Sequence, residues 1–139
     1  SGAAGGSLLS NGCIIYGEVR DSILSPGVVV EKGAVVERSI ILGDAWVGPN
    51  ARIDRAILDK SVHVGRGARV GDGESLAPNH GCPEHLSSGL TVVGKHARIP
   101  EGAVVGRNVR IGSEVNESHF TSREVPGGAV IQAPGAAGP

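Results

Sequence analysis

Of the 13 Lys and Arg residues in this 139-residue chain, only three are lysines, at positions 32, 60 and 95. Lys60 ends the block "RAILDK", next to Asp59 and five residues beyond Arg55, and Lys95 ends "SGLTVVGK". An ammonium group is a compact charge with three donors, and two of them on rigid elements would hold a phosphate or another small anion. Lys60 and Lys95, with Arg55 as a third donor and Asp59 beside the first lysine, are therefore the candidate anion-binding residues. Lys32, in the turn "EKG", reads as a solvated surface charge.

Other chemistries find less support. His80, Cys82 and His85 form an H-x-C-x-x-H pattern with Glu84 inside it, and imidazole and thiolate are natural zinc ligands. The spacing matches no established finger and Pro83 constrains the turn, so the segment reads as a polar loop and no metal ligand is assigned. His63, His80 or His85 would be the general base of an acyl transfer, but an isolated histidine on an outward turn faces solvent, and no catalytic residue is assigned. The glycines recur with a repeat instead of clustering after a strand, which excludes a phosphate-binding loop of the usual kind.

That repeat is what positions the lysines. Aliphatic residues recur at Leu24, Val30, Val36, then Ile41, Val47, Ile53, then Leu58, Val64, Val70. Two places before each stands a smaller residue: Ser22, Val28, Ala34, then Ser39, Ala45, Ala51, then Ala56, Val62, Ala68. Steps are six residues within a triplet and five between triplets, giving a period of 17. Helices repeat at three and four residues and half-buried strands at two; here alternation lasts for two inward positions before "PG", "KG", "GD", "GPN" or "GRG" turns the chain. Short strand and turn, three times per coil, predict a triangular prism of parallel strands in which each coil pairs with the next, as in other solenoids. An earlier layer shows in Leu9, Cys13, Ile15 and Val19, and the beat resumes at Val93, Ile99, Val105 and Ile111 with Ala97 and Ala103 in the small slots. Two segments, 71–89 and 112–124, interrupt it as irregular excursions, of the kind that are functional or mobile, and 125–131 reads as a last partial coil.

Composition agrees with thin stacked layers: 23 Gly, no Met, and one each of Trp, Tyr and Phe. A net charge of −1 argues against nucleic-acid or anionic-membrane partners. No apolar run reaches membrane-spanning length, and no basic-plus-apolar leader is present. Two cysteines without framework spacing fit a reducing cytoplasm. The start "SGAAGG" and the end "QAPGAAGP" read as linker and tail, so the chain is expected to be a piece of a larger protein. The expected organisation is a linker at 1–6, a repeat domain at 7–131 and a flexible tail at 132–139.

The blocks "SLLSNGCIIYGEV", "RSIILGDAWVG", "RAILDKSVHVG" and "SGLTVVGKHARIPEGAVV", in this order, resemble the C-terminal domain of ADP-glucose pyrophosphorylases (glucose-1-phosphate adenylyltransferases) over residues 7 to about 105. The resemblance implies an all-β fold, a single-stranded left-handed parallel β-helix of hexapeptide repeats. It implies a parent enzyme whose N-terminal nucleotidyltransferase domain joins ATP and glucose 1-phosphate, with Mg²⁺, to give ADP-glucose and pyrophosphate for glycogen or starch synthesis. The β-helix would then be non-catalytic by itself, contributing contacts to a homotetramer and part of the site for a small anionic effector. In plant-type members the lysine of the Asp-Lys block and the lysine after S-G-[IL]-x-x-V-x bind the activator; here these are Lys60 and Lys95. The extra repeat after residue 105 departs from many members. The tail of another sugar nucleotidyltransferase, or a free-standing hexapeptide acyltransferase, is the alternative.

Overall fold

A computed structural model describes residues 3–135. The chain winds through three parallel sheets, one per side of a prism. Sheet A stacks Ala3–Gly5, Glu18–Arg20, Val35–Glu37, Arg52–Asp54, Arg69–Val70, Val104–Val105 and Glu124–Val125. Sheet B stacks Leu8–Leu9, Ile23–Leu24, Ile40–Ile41, Ala56–Leu58, Thr91–Val93, Arg110–Ile111 and Val130–Ile131, and sheet C stacks Ile14–Ile15, Val29–Val30, Trp46–Val47, His63–Val64 and Arg98–Ile99. The architecture is an all-β parallel solenoid and agrees with a left-handed β-helix; the single helical element is a 3₁₀ turn at Glu117–His119 among the described residues.

The inward series expected from the beat is the core. Leu24, Val30, Val36, Ile41, Val47, Ile53, Leu58, Val64, Val93, Ile99, Val105 and Ile111 are all buried, as are the small residues of the second series. Each rung thus packs three aliphatic side chains across a narrow prism and three small ones into its corners, which leaves no room for aromatics.

Two of the three corners are β-turns closed by a hydrogen bond from the small residue back to a carbonyl, such as Ala34 N to Glu31 O at 3.1 Å and Ala97 N to Gly94 O at 3.2 Å. The third residue of each turn has positive φ, which explains Gly33 and Asn50 at those places. The third corner, between sheets A and B, is one residue shorter, the source of the five-residue step. There Asp21, Arg38 and Arg55 take the positive φ. A buried hydroxyl makes the remaining connections: Ser39 Oγ donates to Glu37 O at 2.7 Å and accepts the Ala56 N–H of the next rung at 3.2 Å, and Ser22 does the same between Arg20 and Ser39. Serine occupies a core slot because backbone groups at this tight corner need a partner that a methyl cannot supply.

Pairing partners lie 17 residues apart in the middle of the stack, as in Ile40 with Ile57 and Trp46 with His63. Across the first excursion the offset is 35, as in Ala56 with Thr91 and His63 with Arg98. The excursion adds 18 residues to one coil without disturbing the register on either side. It leaves at Gly71, where φ is +80° and a Cβ would collide with the Asp54 carbonyl. It is not a loose loop. Asn79 and Leu86 are buried, Asn79 Nδ2 donates to Asn108 O at 2.8 Å, and Asn108 Oδ1 accepts from Gly89 N at 2.7 Å. With His80 N donating to Gly128 O at 2.8 Å, the segment is strapped across the turns of the last coils.

Two expected boundaries move. Val115 is buried and its carbonyl accepts from Arg98 N at 2.7 Å, so 112–115 still follows the coil and the second excursion narrows to 116–123. Its polar look hid the coil because one inward slot per turn suffices. The strand Ala3–Gly5 pairs with Glu18–Arg20, so the stack begins ahead of the expected start at residue 7. Residues 1–2 of the expected linker, and 136–139 of the expected tail, lie outside the described residues.

Val47 sits at 0 % exposure with coils on both sides. Val47→Asp removes about 1.5–3 kcal/mol of apolar burial and places an unpaired carboxylate in the core. It should unfold the stack in a thermal or urea melt, whereas Lys32→Ala, on an exposed turn, should change stability by less than about 0.5 kcal/mol. Equal stability of the two variants would mean that the register is wrong.

Candidate functional site

Lys60 and Lys95 occupy the second position of two turns, 59–62 and 94–97, at the corner between sheets B and C. Each turn is closed by its own hydrogen bond, Val62 N to Asp59 O at 3.4 Å and Ala97 N to Gly94 O at 3.2 Å. Positive φ falls on Ser61 and His96. Because the 35-residue offset is a single rung, the two turns are stacked directly: His96 N donates to Lys60 O at 2.9 Å, linking the peptide units that follow the two lysines. Both lysine side chains are exposed and, among the described residues, neither pairs with a carboxylate. The same corner carries Gly43 on the rung before and Ser113 on the rung after, with Ser61 N donating to Gly43 O and Glu114 N to Lys95 O, each at 2.9 Å.

The other two residues of the expected set stand differently. The Asp59 carboxylate accepts the Lys60 N–H at 2.7 Å, which shapes the turn that presents the lysine. Arg55 lies at the far end of the strand Ala56–Leu58, at the corner between sheets A and B, with φ of 48°. The backbone from Arg55 to Lys60 covers the width of a face, up to roughly 16 Å if extended, so Arg55 is not stacked with the lysine pair. On the Lys95 side, the neighbouring polar side chains are His96 and Glu114, whose Nδ1 and Oε1 lie 2.7 Å apart on an exposed edge.

A second cluster, on sheet C, escaped the sequence reading. The Trp46 and His63 rings stack, with centroids 4.3 Å apart and planes 22° off parallel. Trp46 Nε1 donates to Glu31 at 2.8 Å, and Arg98, on the rung beyond His63, donates to Glu117 of the second excursion at 3.1 Å. Trp46, His63 and Glu117, with Pro49, Arg66 and Glu101, border an open cleft of about 320 Å³. The signal was present: Trp46 and His63 are one 17-residue period apart, outward on neighbouring strands. His63 Nδ1 is buried without a hydrogen-bond partner. Burial, and then the charge of Arg98, hold its pKa below the ordinary imidazole value of 6.5. His80, Cys82 and His85 do not form a metal site with any neighbour; among the described residues no three His, Cys, Asp or Glu side chains are placed to hold an ion.

The repeat, its three-sheet stack and its turn-borne charges define a class of hexapeptide β-solenoids. The family model of GlmU-like C-terminal hexapeptide domains matches residues 1–93, and the chain belongs to that family. It is 50 % identical over 126 residues to a glucose-1-phosphate adenylyltransferase of Thermomicrobium roseum, and 39 % identical over 125 residues to that of Acetivibrio thermocellus. Each match takes in 90 % of this chain and 29 % of the relative, so the chain spans under a third of the length of these curated relatives. Among solved structures, the acetyltransferase domain of PglB from Neisseria gonorrhoeae superimposes with a TM-score of 0.56 at 23 % identity, over 95 % of this chain and 57 % of that one. That likeness is one of fold.

A depressed His63 pKa has a defined consequence for stability. As pH falls below 6.5 the unfolded chain takes up this proton before the folded one does, so stability is full above that value and declines as pH drops through the folded pKa. The His63 ring resonances in an NMR titration should show a midpoint below 6.5, and His63→Phe should remove this part of the acid destabilisation. A midpoint at or above the ordinary value would refute the lowering of the half-buried ring's pKa.

Proposed function

We propose that this chain is the C-terminal regulatory and oligomerisation domain of a glucose-1-phosphate adenylyltransferase, and that Lys60 and Lys95 bind its anionic effector. The observation that carries the reading is the coincidence of two independent features. The chain is 50 % identical to a protein of that name, and the two lysines stand one above the other at a single corner. Two ammonium groups on successive rungs form a preorganised clamp for a phosphate or a phosphorylated sugar-pathway intermediate, with donors on two sides of the anion. Asp59 acts through the turn it caps, and Arg55 would reach an extended ligand only along the edge of sheet B. Binding that rests on exposed charges weakens with salt, so basic residues elsewhere in the parent enzyme would complete the site. Effector binding would then couple to turnover through the contact between the two parts of the polypeptide.

The catalytic work falls outside this chain. ATP and Mg²⁺ would be held by an N-terminal nucleotidyltransferase domain. By itself the domain would neither form ADP-glucose nor transfer an acyl group. The parent would be a homotetramer, working in the cytoplasm on small metabolites without nucleic-acid or membrane partners. Both cysteines are free, in keeping with a reducing compartment.

In the complete enzyme, Lys60→Ala or Lys95→Ala should raise the activator concentration for half-maximal stimulation about tenfold, the loss of roughly 1.4 kcal/mol, and leave unactivated turnover nearly unchanged. Steady-state rates against activator concentration, in both variants, decide it. Unchanged activation curves would sink the clamp.

A further inference from the structure

The arginines of sheet A are unevenly partnered. Arg38 donates to Asp54 through two nitrogens, at 2.9 and 2.8 Å, and Arg20 lies against Glu18 with Glu37 at 3.9 Å. Arg52 and Arg69 differ. They are exposed on neighbouring strands and paired in register with each other, so two guanidinium groups leave the sheet one rung apart. Their column holds Val35 on the rung before and Val104 on the rung after, so no carboxylate neutralises them along it. Among the described residues Arg52 takes part in no ion pair. Arg69 approaches Asp72 at 3.9 Å, too far for a hydrogen bond.

A third guanidinium comes from the rung after. The first excursion leaves sheet A at Gly71, and Arg107, with 15 % of its side chain exposed, reaches back to donate from Nε to the Gly73 carbonyl. Its Nη2 stands 3.9 Å from Asp54. The departing chain thus becomes a wall beside the arginine pair. Arg52, Arg69 and Arg107 line a cleft of about 160 Å³, together with Glu37, Asp54 and Asp72.

We propose that this cleft binds inorganic phosphate, as an anion site separate from the lysine corner. A guanidinium offers a planar fork of donors that matches two phosphate oxygens, and two forks about 4.8 Å apart engage different oxygens of one ion. Like charges at that spacing repel, and an anion between them removes the repulsion. The carboxylates of the cleft are largely spent elsewhere. Asp54 is held by Arg38, and Glu37 faces Arg20. Asp72 remains as a competitor, and its approach to Arg69 is loose. The volume lies below the roughly 300–1,000 Å³ of sites for drug-sized ligands, which favours a small ion over a nucleotide. Sheet A is the side of the prism opposite the corner between sheets B and C, so the core separates this cleft from Lys60 and Lys95. The inference stands on the arginine geometry and is independent of the enzyme assignment.

Phosphate titration of the 139-residue chain, followed by NMR, tests the site. The arginine Nε–H groups and the Gly71 and Gly73 amides are the reporters, and sodium chloride holds the ionic strength constant. The expected result is saturable shifts at Arg52, Arg69 and Gly73 with a midpoint on the order of 1 mM, and no such shifts with chloride alone. Arg52→Gln and Arg69→Gln should each raise that midpoint at least about fivefold, and so should Arg52→Lys, which keeps the charge and loses the fork. Asp72→Asn should lower it. Lys60→Ala combined with Lys95→Ala should leave it unchanged. The proposal is overturned by an absence of saturable shifts at these residues, by equal shifts with chloride, or by a midpoint that Arg52→Gln does not move. Loss of the shifts in the double lysine variant also overturns it, since the anion then sits at the other corner.

Discussion

A backbone hydrogen bond from each coil to the one above it is the constraint on which the rest of this molecule depends. Ile23 N reaches Ser39 O at 3.0 Å, Trp46 N reaches Val62 O at 2.9 Å, and His63 N reaches Ala97 O at 2.9 Å. Parallel, in-register pairing of this kind sets equivalent residues over one another at about 4.8 Å. A side chain's surroundings are then decided chiefly by its column. Inward columns become the aliphatic core, corner columns take residues that accept positive φ or supply a hydroxyl, and outward columns give each face its character.

This arrangement limits how the chain can grow. An extra residue within a strand would turn inward side chains outward, so insertions are confined to the turns and must return to the rung they left. The 18 added residues of the first excursion satisfy that condition, and they pack. Two buried asparagines, Asn79 and Asn108, exchange hydrogen bonds with backbone groups of the excursion and of the coil it crosses. A polar, glycine-rich segment becomes an ordered strap because side-chain amides satisfy the backbone groups it buries.

The column logic also accounts for the clusters on the surface. A lysine repeated at one corner produces two cations on neighbouring rungs, an arrangement that repels itself unless the side chains diverge or an anion lies between them. An aromatic ring and an imidazole repeated on sheet C produce a stack, with Glu31 and Glu117 engaging its two ends through Trp46 and Arg98. An aliphatic residue repeated on sheet B produces a flat apolar face. In each case a local residue choice, copied once per turn, becomes a surface feature several rungs tall.

The sequence by itself determined the inward residues, the three-turn coil and the prism. Each follows from periodicity, and periodicity reflects contacts between neighbouring rungs that repeat along the chain. Leu58, Val64 and Val70 could be read as core from their spacing alone, and burial places them there. Relations across an interruption of the beat had to wait for the tertiary structure, because the length of a detour does not state where the chain re-enters the stack. Thus 35 residues between Lys60 and Lys95 could have meant two coils, and the pairing of His63 with Arg98 makes it one. Arg55, near Lys60 in sequence, is carried to another corner by the strand between them. The packing of Asn79 and the continued coil at Val115 were decided in the same way. Their partners are chosen by three-dimensional register, which no residue in those segments encodes locally.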